Sequence, residues 1–306
     1  MHVFQVFEQK KFMFSEWSFH FFSHMVHNNI IRRALRVHNI KPNNIPKMKI
    51  KTLLATVAIA LISLTANAQS GHDLQDDGLR GAVKKVDAVM YEAMYDQNDN
   101  VARGDQLEHL ITEYNQKGHR RSQTYLSVAE DIIFRTRYKH DGFGLTTLEH
   151  VVDNQDRVIG RTYYVYDQDH TLVEIYVEDA ERQVESRLRL HHDKQGRIDQ
   201  RSYNDHVNEI FRREKYIFNA NGTINKAIIY DRSKQKIQEK RWEYDAQGQP
   251  VSYTLYDYTE AEPEMFVTLY EREYDSHGNW TRCTEFEVQG DRRFPTFTTV
   301  RTIEYF

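Results

Sequence analysis

The sequence predicts an all-β protein, a continuous antiparallel meander of β-hairpin (YD-type) repeats with about a dozen strands in a curved or coiled sheet. Three observations predict it. The chain holds 19 Tyr and 16 Phe but only 5 Pro, a bias toward strands. A short turn motif returns at fixed spacing over residues 95–306. Between those turns, apolar and polar side chains alternate with period two, as a strand with one buried and one solvated face requires.

The N-terminal region reads differently. Lys47, Lys49 and Lys51 precede an uncharged, mostly apolar run from Leu53 to Leu64, followed by Ala66-Asn67-Ala68. A basic flank, a short apolar stretch and an A-x-A site are the parts of a secretory signal peptide. The run is too short for a bilayer span, which needs roughly 20 residues. Residues 48–68 therefore read as the signal, with cleavage after Ala68 and Ala66 and Ala68 as its small-residue positions. Met48 stands where such a signal starts, so residues 1–47 read as a gene-model extension or a disordered leader. Residues 69–306 then form one β-repeat domain. Setting aside the nine Lys/Arg and two Asp/Glu of residues 1–68 leaves 32 basic and 43 acidic side chains from the chain's 41 and 45, a formal charge of −11. A surface of that sign repels phosphate backbones, which argues against nucleic acid as a partner. Cys283 is the chain's one cysteine. It allows no internal disulfide, and no cysteine follows the signal to carry a lipid anchor. The expectation is a soluble periplasmic or extracellular protein with no membrane span in the mature chain.

From residue 95 onward the repeat unit is an aromatic anchor, Asp or Asn, two polar residues, and Gly. It reads Tyr114-Asn115-Gln116-Lys117-Gly118, His192-Asp193-Lys194-Gln195-Gly196, Phe218-Asn219-Ala220-Asn221-Gly222, Tyr244-Asp245-Ala246-Gln247-Gly248 and Tyr274-Asp275-Ser276-His277-Gly278. Copies without Gly lie between, at Val152-Asp153, Tyr166-Asp167, Val177-Glu178, Tyr230-Asp231 and Tyr256-Asp257. The anchors Tyr166, His192, Phe218 and Tyr244 recur every 26 residues, with His170 in the Gly slot of the first. Self-similarity at such a period marks a repeat architecture.

The chemistry of the unit is that of a hairpin. Asp or Asn hydrogen-bonds its own backbone two residues on and starts a turn. The Gly four positions after the anchor supplies the positive φ that the turn needs. Asp99 and Asp156 take that place in two copies, and Asp is among the residues that tolerate it. The anchor and the residue two before it share a face, as in Tyr164/Tyr166, Leu190/His192, Tyr216/Phe218 and Trp242/Tyr244. An apolar residue returns six positions after the anchor, at Leu172, Ile198, Ile224 and Trp280. Each 26-residue unit is thus two strands and two turns, stacked so that the aromatics form ladders. Residues 81–95 read as a leading strand and residues 298–306 as the last.

These units resemble the YD repeats of the RHS family, found in bacterial surface and secreted proteins. The resemblance covers residues 95–306 through a short, degenerate motif. In large members the repeats wind into a shell around a C-terminal toxin. This chain has too few repeats for that and ends on a strand, so it looks more like the small, signal-bearing YD-repeat proteins of Gram-negative bacteria. That likeness implies architecture and export and names no activity.

The residues that tempt a chemical reading are mostly absorbed by the repeat. His191-His192-Asp193 suggests a metal pair, but adjacent strand residues point to opposite faces, and His192 fills an anchor slot. Asp96-Gln97-Asn98-Asp99-Asn100 has alternating oxygen ligands yet lacks the Gly and closing Glu of a calcium loop. Cys283 carries no nucleophile signature, and no P-loop, G-x-S-x-G or H-E-x-x-H is present. The sequons at Asn221 and Asn279 fall in turn regions. No catalytic, cofactor or metal residue is assigned. The reading is an exported, non-enzymatic binding or structural module of the cell envelope for an unidentified protein or glycan. The alternative is a carbohydrate-active hydrolase using Glu260, Glu262 and Glu264 of the irregular insertion at residues 258–266.

Overall fold

In most turns the Asp or Asn side-chain oxygen accepts from the backbone N–H two residues on, and this local bond punctuates the described part of the chain. The computed structural model describes residues 73–246, 248–260 and 262–306. The chain divides into two units, Met1–Leu64 and Thr65–Phe306. Residues 1–72, and with them the leader, the signal and the Ala66/Ala68 cleavage site, lie outside the described residues.

A single helical turn, α1 (Asp73–Asp76), precedes the strands β1 (Val83–Tyr95), β2 (Val101–Tyr114), β3 (Arg120–Leu126), β4 (Ile132–His140), β5 (Thr146–Asp153) and β6 (Val158–Tyr166). The chain continues through β7 (Leu172–Asp179), β8 (Val184–His192), β9 (Ile198–Asn204), β10 (Ile210–Phe218) and β11 (Ile224–Asp231). It ends with β12 (Lys236–Tyr244), β13 (Pro250–Asp257), β14 (Glu264–Tyr274), β15 (Trp280–Gln289) and β16 (Arg292–Tyr305). Every strand pairs antiparallel with its neighbours in sequence, and β1 pairs with β16 to close the sheet into a barrel.

This corrects the expected architecture in two ways. Among the described residues there are sixteen strands rather than about a dozen, because most strands have only seven to nine residues and tight turns between them, which fits more passes into the length. The sheet is also closed rather than an open curve or coil. The leading and final strands are among the longest, at 13 and 14 residues, and they pair along their length: Val86 sits opposite Ile303 and Met90 opposite Thr299. Their pairing removes the two edges that an open sheet would expose.

The turns follow the expected chemistry. Asp193 N–H donates to Arg197 O at 2.9 Å and Gly196 N–H to Asp193 O at 3.0 Å. Asp193 Oδ1 accepts from the N–H groups of Gln195 and Arg197 at 2.9 and 3.0 Å. Gly196 has φ +77°. Because a meander turns at alternate ends, the two classes of repeat copy separate in space. The turns at Gly118, Gly144, Gly196, Gly222, Gly248 and Gly278, with His170 standing in at φ 60°, share one rim. Asp99, Glu130, Asp156, Arg182, Asn208 and Lys234 hold the positive-φ place on the other. The copy read as Val177-Glu178 is one residue out of phase, since its turn begins at Asp179.

The faces alternate as expected, but the inward face is not simply apolar. Thr136, Thr162 and Glu214 are fully buried there and Arg201 is 2 % exposed, so the barrel interior is closed to solvent. Inward tyrosines supply hydroxyls to this interior: Tyr164 donates to Glu149 at 2.5 Å, and Tyr203 and Tyr216 donate to Glu214 at 3.1 and 2.7 Å. The outward face carries charge laid over aromatics. Tyr163 stacks on Tyr176 at 4.8 Å, Arg187 lies over Tyr176 and pairs with Glu174 at 2.6 Å.

Candidate functional site: the strapped glycine rim

Residues 73–82 form a strap attached at several points along the glycine rim. At one end Leu74 N–H donates to Gly118 O at 3.1 Å. The Leu74 side chain covers Gly118, where an added Cβ would come within 3.1 Å of Leu74 Cδ1. Asp77 then receives a two-pronged contact from Arg120, Nε at 2.8 Å and Nη2 at 2.6 Å, and a hydrogen bond from the Tyr114 hydroxyl at 2.5 Å. Leu79 packs with Val83, Val86 and Tyr114 in a small apolar cluster. At the other end the strap meets Asn279 through Arg80, and Phe306 N–H donates to Ala82 O at 2.9 Å.

The deepest residue of the strap is Asp73, 1 % exposed. Its Oδ2 accepts from Arg120 N–H at 2.6 Å and lies 2.9 Å from His140 Nε2, while Oδ1 faces the Thr146 hydroxyl at 3.4 Å. Burial opposes ionisation of this carboxyl, but the hydrogen bond with His140 and the neighbouring Arg120 charge outweigh it and hold Asp73 below the usual range. His119, also buried, lies against His140 with ring centroids 4.9 Å apart. One ligand atom from each of Asp73, His119 and His140 falls within 4.8 Å of the others. Two imidazoles and a carboxylate are a donor set for a divalent metal.

Elsewhere in the barrel, burial pushes the carboxyls of Glu108 and Glu285 up to about 8, with the Arg272 charge opposing the shift at Glu285. On the outer wall a groove of about 980 Å³ has Lys84, Lys85, Arg121 and Arg135 among its lining, with Ile132 and Phe306 as apolar contacts.

The residues weighed in the sequence fall as follows. His192 turns inward and His191 outward, where His191 Nδ1 pairs with Asp199 at 2.5 Å. They do not converge. Asp96 Oδ1 accepts from the N–H groups of Asn98 and Asn100 at 2.8 and 2.9 Å, the ordinary turn bonds. Cys283 is buried, and burial pushes its thiol up to about 12. Glu260, Glu262 and Glu264 are exposed on the rim opposite the strap. The anchors Tyr114, Tyr166, His192, Phe218, Tyr244 and Tyr274 all end strands at the glycine rim. Asp73, His119 and His140 escaped the sequence reading because three chain segments supply them. One signal was available: His140-Asp141-Gly142-Phe143-Gly144 is a full repeat copy, 26 residues from both Tyr114 and Tyr166.

The fold and rim define a closed antiparallel β-barrel with an N-terminal strap. No family model matches the chain, and no curated protein sequence does. Among solved structures, a porin-like protein from Bacteroides uniformis is similar at 9 % identity, covering 72 % of this chain and 96 % of that one, with a TM-score of 0.46. The TcdB2-TccC3 structure is similar at 8 % identity with a TM-score of 0.34, and the match covers 70 % of this chain and 15 % of that one. These similarities are too low to carry an argument about function. Among the described residues no helix is long and apolar enough to cross a membrane.

Proposed function

We propose that this chain is an exported, non-enzymatic β-repeat protein of the YD type, acting as a binding module of the cell envelope through its outer wall. One observation carries the reading. The barrel interior is closed by buried side chains, whereas the outer wall offers a groove with five cationic side chains beside apolar contacts. A ligand, protein or glycan, is therefore met outside the barrel. The groove's cations are already partly balanced, Lys85 by Asp87 at 3.2 Å and by Glu304 at 3.5 Å. That balance favours a polar or mixed-charge partner over a polyanion.

The outer wall also bears on location. A lipid-facing barrel needs an apolar outward band about 25 Å tall. Here the outward rows hold Arg135, Arg137 and Lys139 on β4 and Arg187 and Arg189 on β8. This supports a water-exposed barrel in the periplasm or outside the cell.

The test is binding of envelope glycan fragments and of envelope proteins to the parent and to Lys85→Glu and Arg135→Glu variants, with turnover followed in the same samples. Saturable binding weakened by both variants is the expected result. Turnover that disappears in Glu260→Gln, Glu262→Gln or Glu264→Gln would replace the module by the hydrolase alternative.

A further inference from the structure

We propose that Asp73, His119 and His140 form a site for a divalent transition-metal ion, zinc in the simplest case, which pins the strap to the glycine rim. Zinc takes imidazole nitrogen and carboxylate oxygen at about 2.0–2.2 Å, which places tetrahedral ligand atoms roughly 3.3–3.6 Å apart. His140 Nε2 and Asp73 Oδ2 stand at 2.9 Å, and all three donors lie within 4.8 Å. Those separations bracket the required spacing, so small side-chain rotations complete the set. A water or the Thr146 hydroxyl fills the fourth position.

The surroundings suit a bound cation. Metal ligands work best when further hydrogen bonds orient them, and Arg120 N–H already holds the Asp73 carboxylate at 2.6 Å. The nearby positive charge is the Arg120 guanidinium. Asp77 occupies two of its donors at 2.6 and 2.8 Å, which offsets its repulsion of a metal. On binding, the ion replaces the proton shared between His140 Nε2 and Asp73 Oδ2. That proton passes to solvent, or His140 shifts to its Nδ1–H tautomer. No redox step is involved.

The consequence is mechanical. Asp73 belongs to the strap, His119 to the turn between β2 and β3, and His140 to the end of β4. An ion held by all three ties the strap to two separate hairpins.

The full chain, stripped with EDTA and dialysed against zinc, is assayed for bound metal, and cobalt(II) serves as a spectroscopic probe. We expect one ion per chain, the intense visible bands of tetrahedral cobalt, and slower proteolysis at residues 73–82 with zinc than without. Asp73→Asn, His119→Gln and His140→Gln should each weaken binding by more than the roughly 10–100-fold that an outer-shell change costs. Asn279→Ala loosens the far end of the same strap without touching a ligand or its neighbours, and should keep the stoichiometry. Substoichiometric zinc in the parent would overturn the site. So would metal uptake unchanged in the three ligand variants, or lost equally in Asn279→Ala.

Discussion

Arg80 and Asn279 exchange two hydrogen bonds across 199 residues of sequence: Arg80 N–H donates to Asn279 Oδ1 at 2.7 Å, and Asn279 Nδ2 donates to Arg80 O at 2.8 Å. Asn279 is itself fixed, because its N–H donates to Asp275 Oδ1 at 2.9 Å in the last glycine-rim turn. The pair anchors the far end of the strap. Asn279 is buried, which puts its sequon out of reach of glycan attachment in the folded barrel.

Asn279→Ala leaves both Arg80 backbone groups without this partner. Arg80 is exposed, so water can replace the lost partner, and the net worth of a hydrogen bond is about 0.5–1.5 kcal/mol. We expect a loss of that size in urea unfolding, together with faster proteolysis at residues 73–82. Gln249→Ala, at the equivalent place in the preceding glycine-rim turn, should stay within about 0.5 kcal/mol of the parent.

The near end of the strap gives a contrast between buried and exposed ion pairs. Arg120 and Asp77 are 14 % and 13 % exposed in their side chains, while Arg137 and Asp156 are 47 % and 64 % exposed. Removing one partner of a buried pair leaves an uncompensated charge, at about 3–5 kcal/mol. An exposed pair contributes about 0–1 kcal/mol. Asp77→Ala should therefore destabilise several-fold more than Asp156→Asn in the same denaturation assay. Equal effects would show that the strap is not held by this contact.

The turn prediction separates backbone strain from packing. Gly222 has φ +87° and nothing within 4 Å of an added Cβ. Gly222→Val should cost on the order of 1–2 kcal/mol through the left-handed backbone alone, and Gly222→Asn much less. On the opposite rim Lys234 already sits at φ 65°, so Lys234→Gly should raise the midpoint of unfolding. Valine and asparagine variants of equal stability would disprove the strain account.

How much of this was legible in the sequence depends on the range of the interaction. The turns were legible because Asp193, Gln195 and Gly196 act on one another within a few bonds. The sharing of faces by Tyr164 with Tyr166 and by Trp242 with Tyr244 was legible because strand period is local. Closure was not, since it depends on Val86 meeting Ile303 across the whole domain. The strand count fell short because turns such as those at Ser127 and Asp205 carry Glu130 and Asn208 rather than Gly at positive φ. The Asp73–His119–His140 group was invisible for the same reason as closure. Its members are ordinary residues of a strap, a turn and an anchor slot until the fold brings them together.

The last prediction concerns pH and rests on Glu108 and Glu285. Both carboxyls face the closed interior, and burial raises each from the ordinary 4.5 to about 8. In the native barrel they hold their protons, whereas in the unfolded chain they release them above 4.5. A group whose native value is raised contributes stability that is full below its unfolded value and is lost as pH climbs toward the native one. Stability should therefore fall between pH about 4.5 and about 8, by at most about 1.4 kcal/mol per pH unit for each group. Asp73 acts in the opposite sense: its lowered value makes it destabilising to protonate, so stability should also drop below the ordinary carboxylate range. Urea unfolding of the parent, Glu108→Gln and Glu285→Gln across this range is the check. Each Gln variant keeps the shape of the side chain but cannot ionise, so each should flatten the decline above pH 4.5 and together they should abolish most of it. A parent whose stability rises from pH 5 to pH 8 would show that these carboxyls are charged in the native barrel, with water or a cation reaching them inside it.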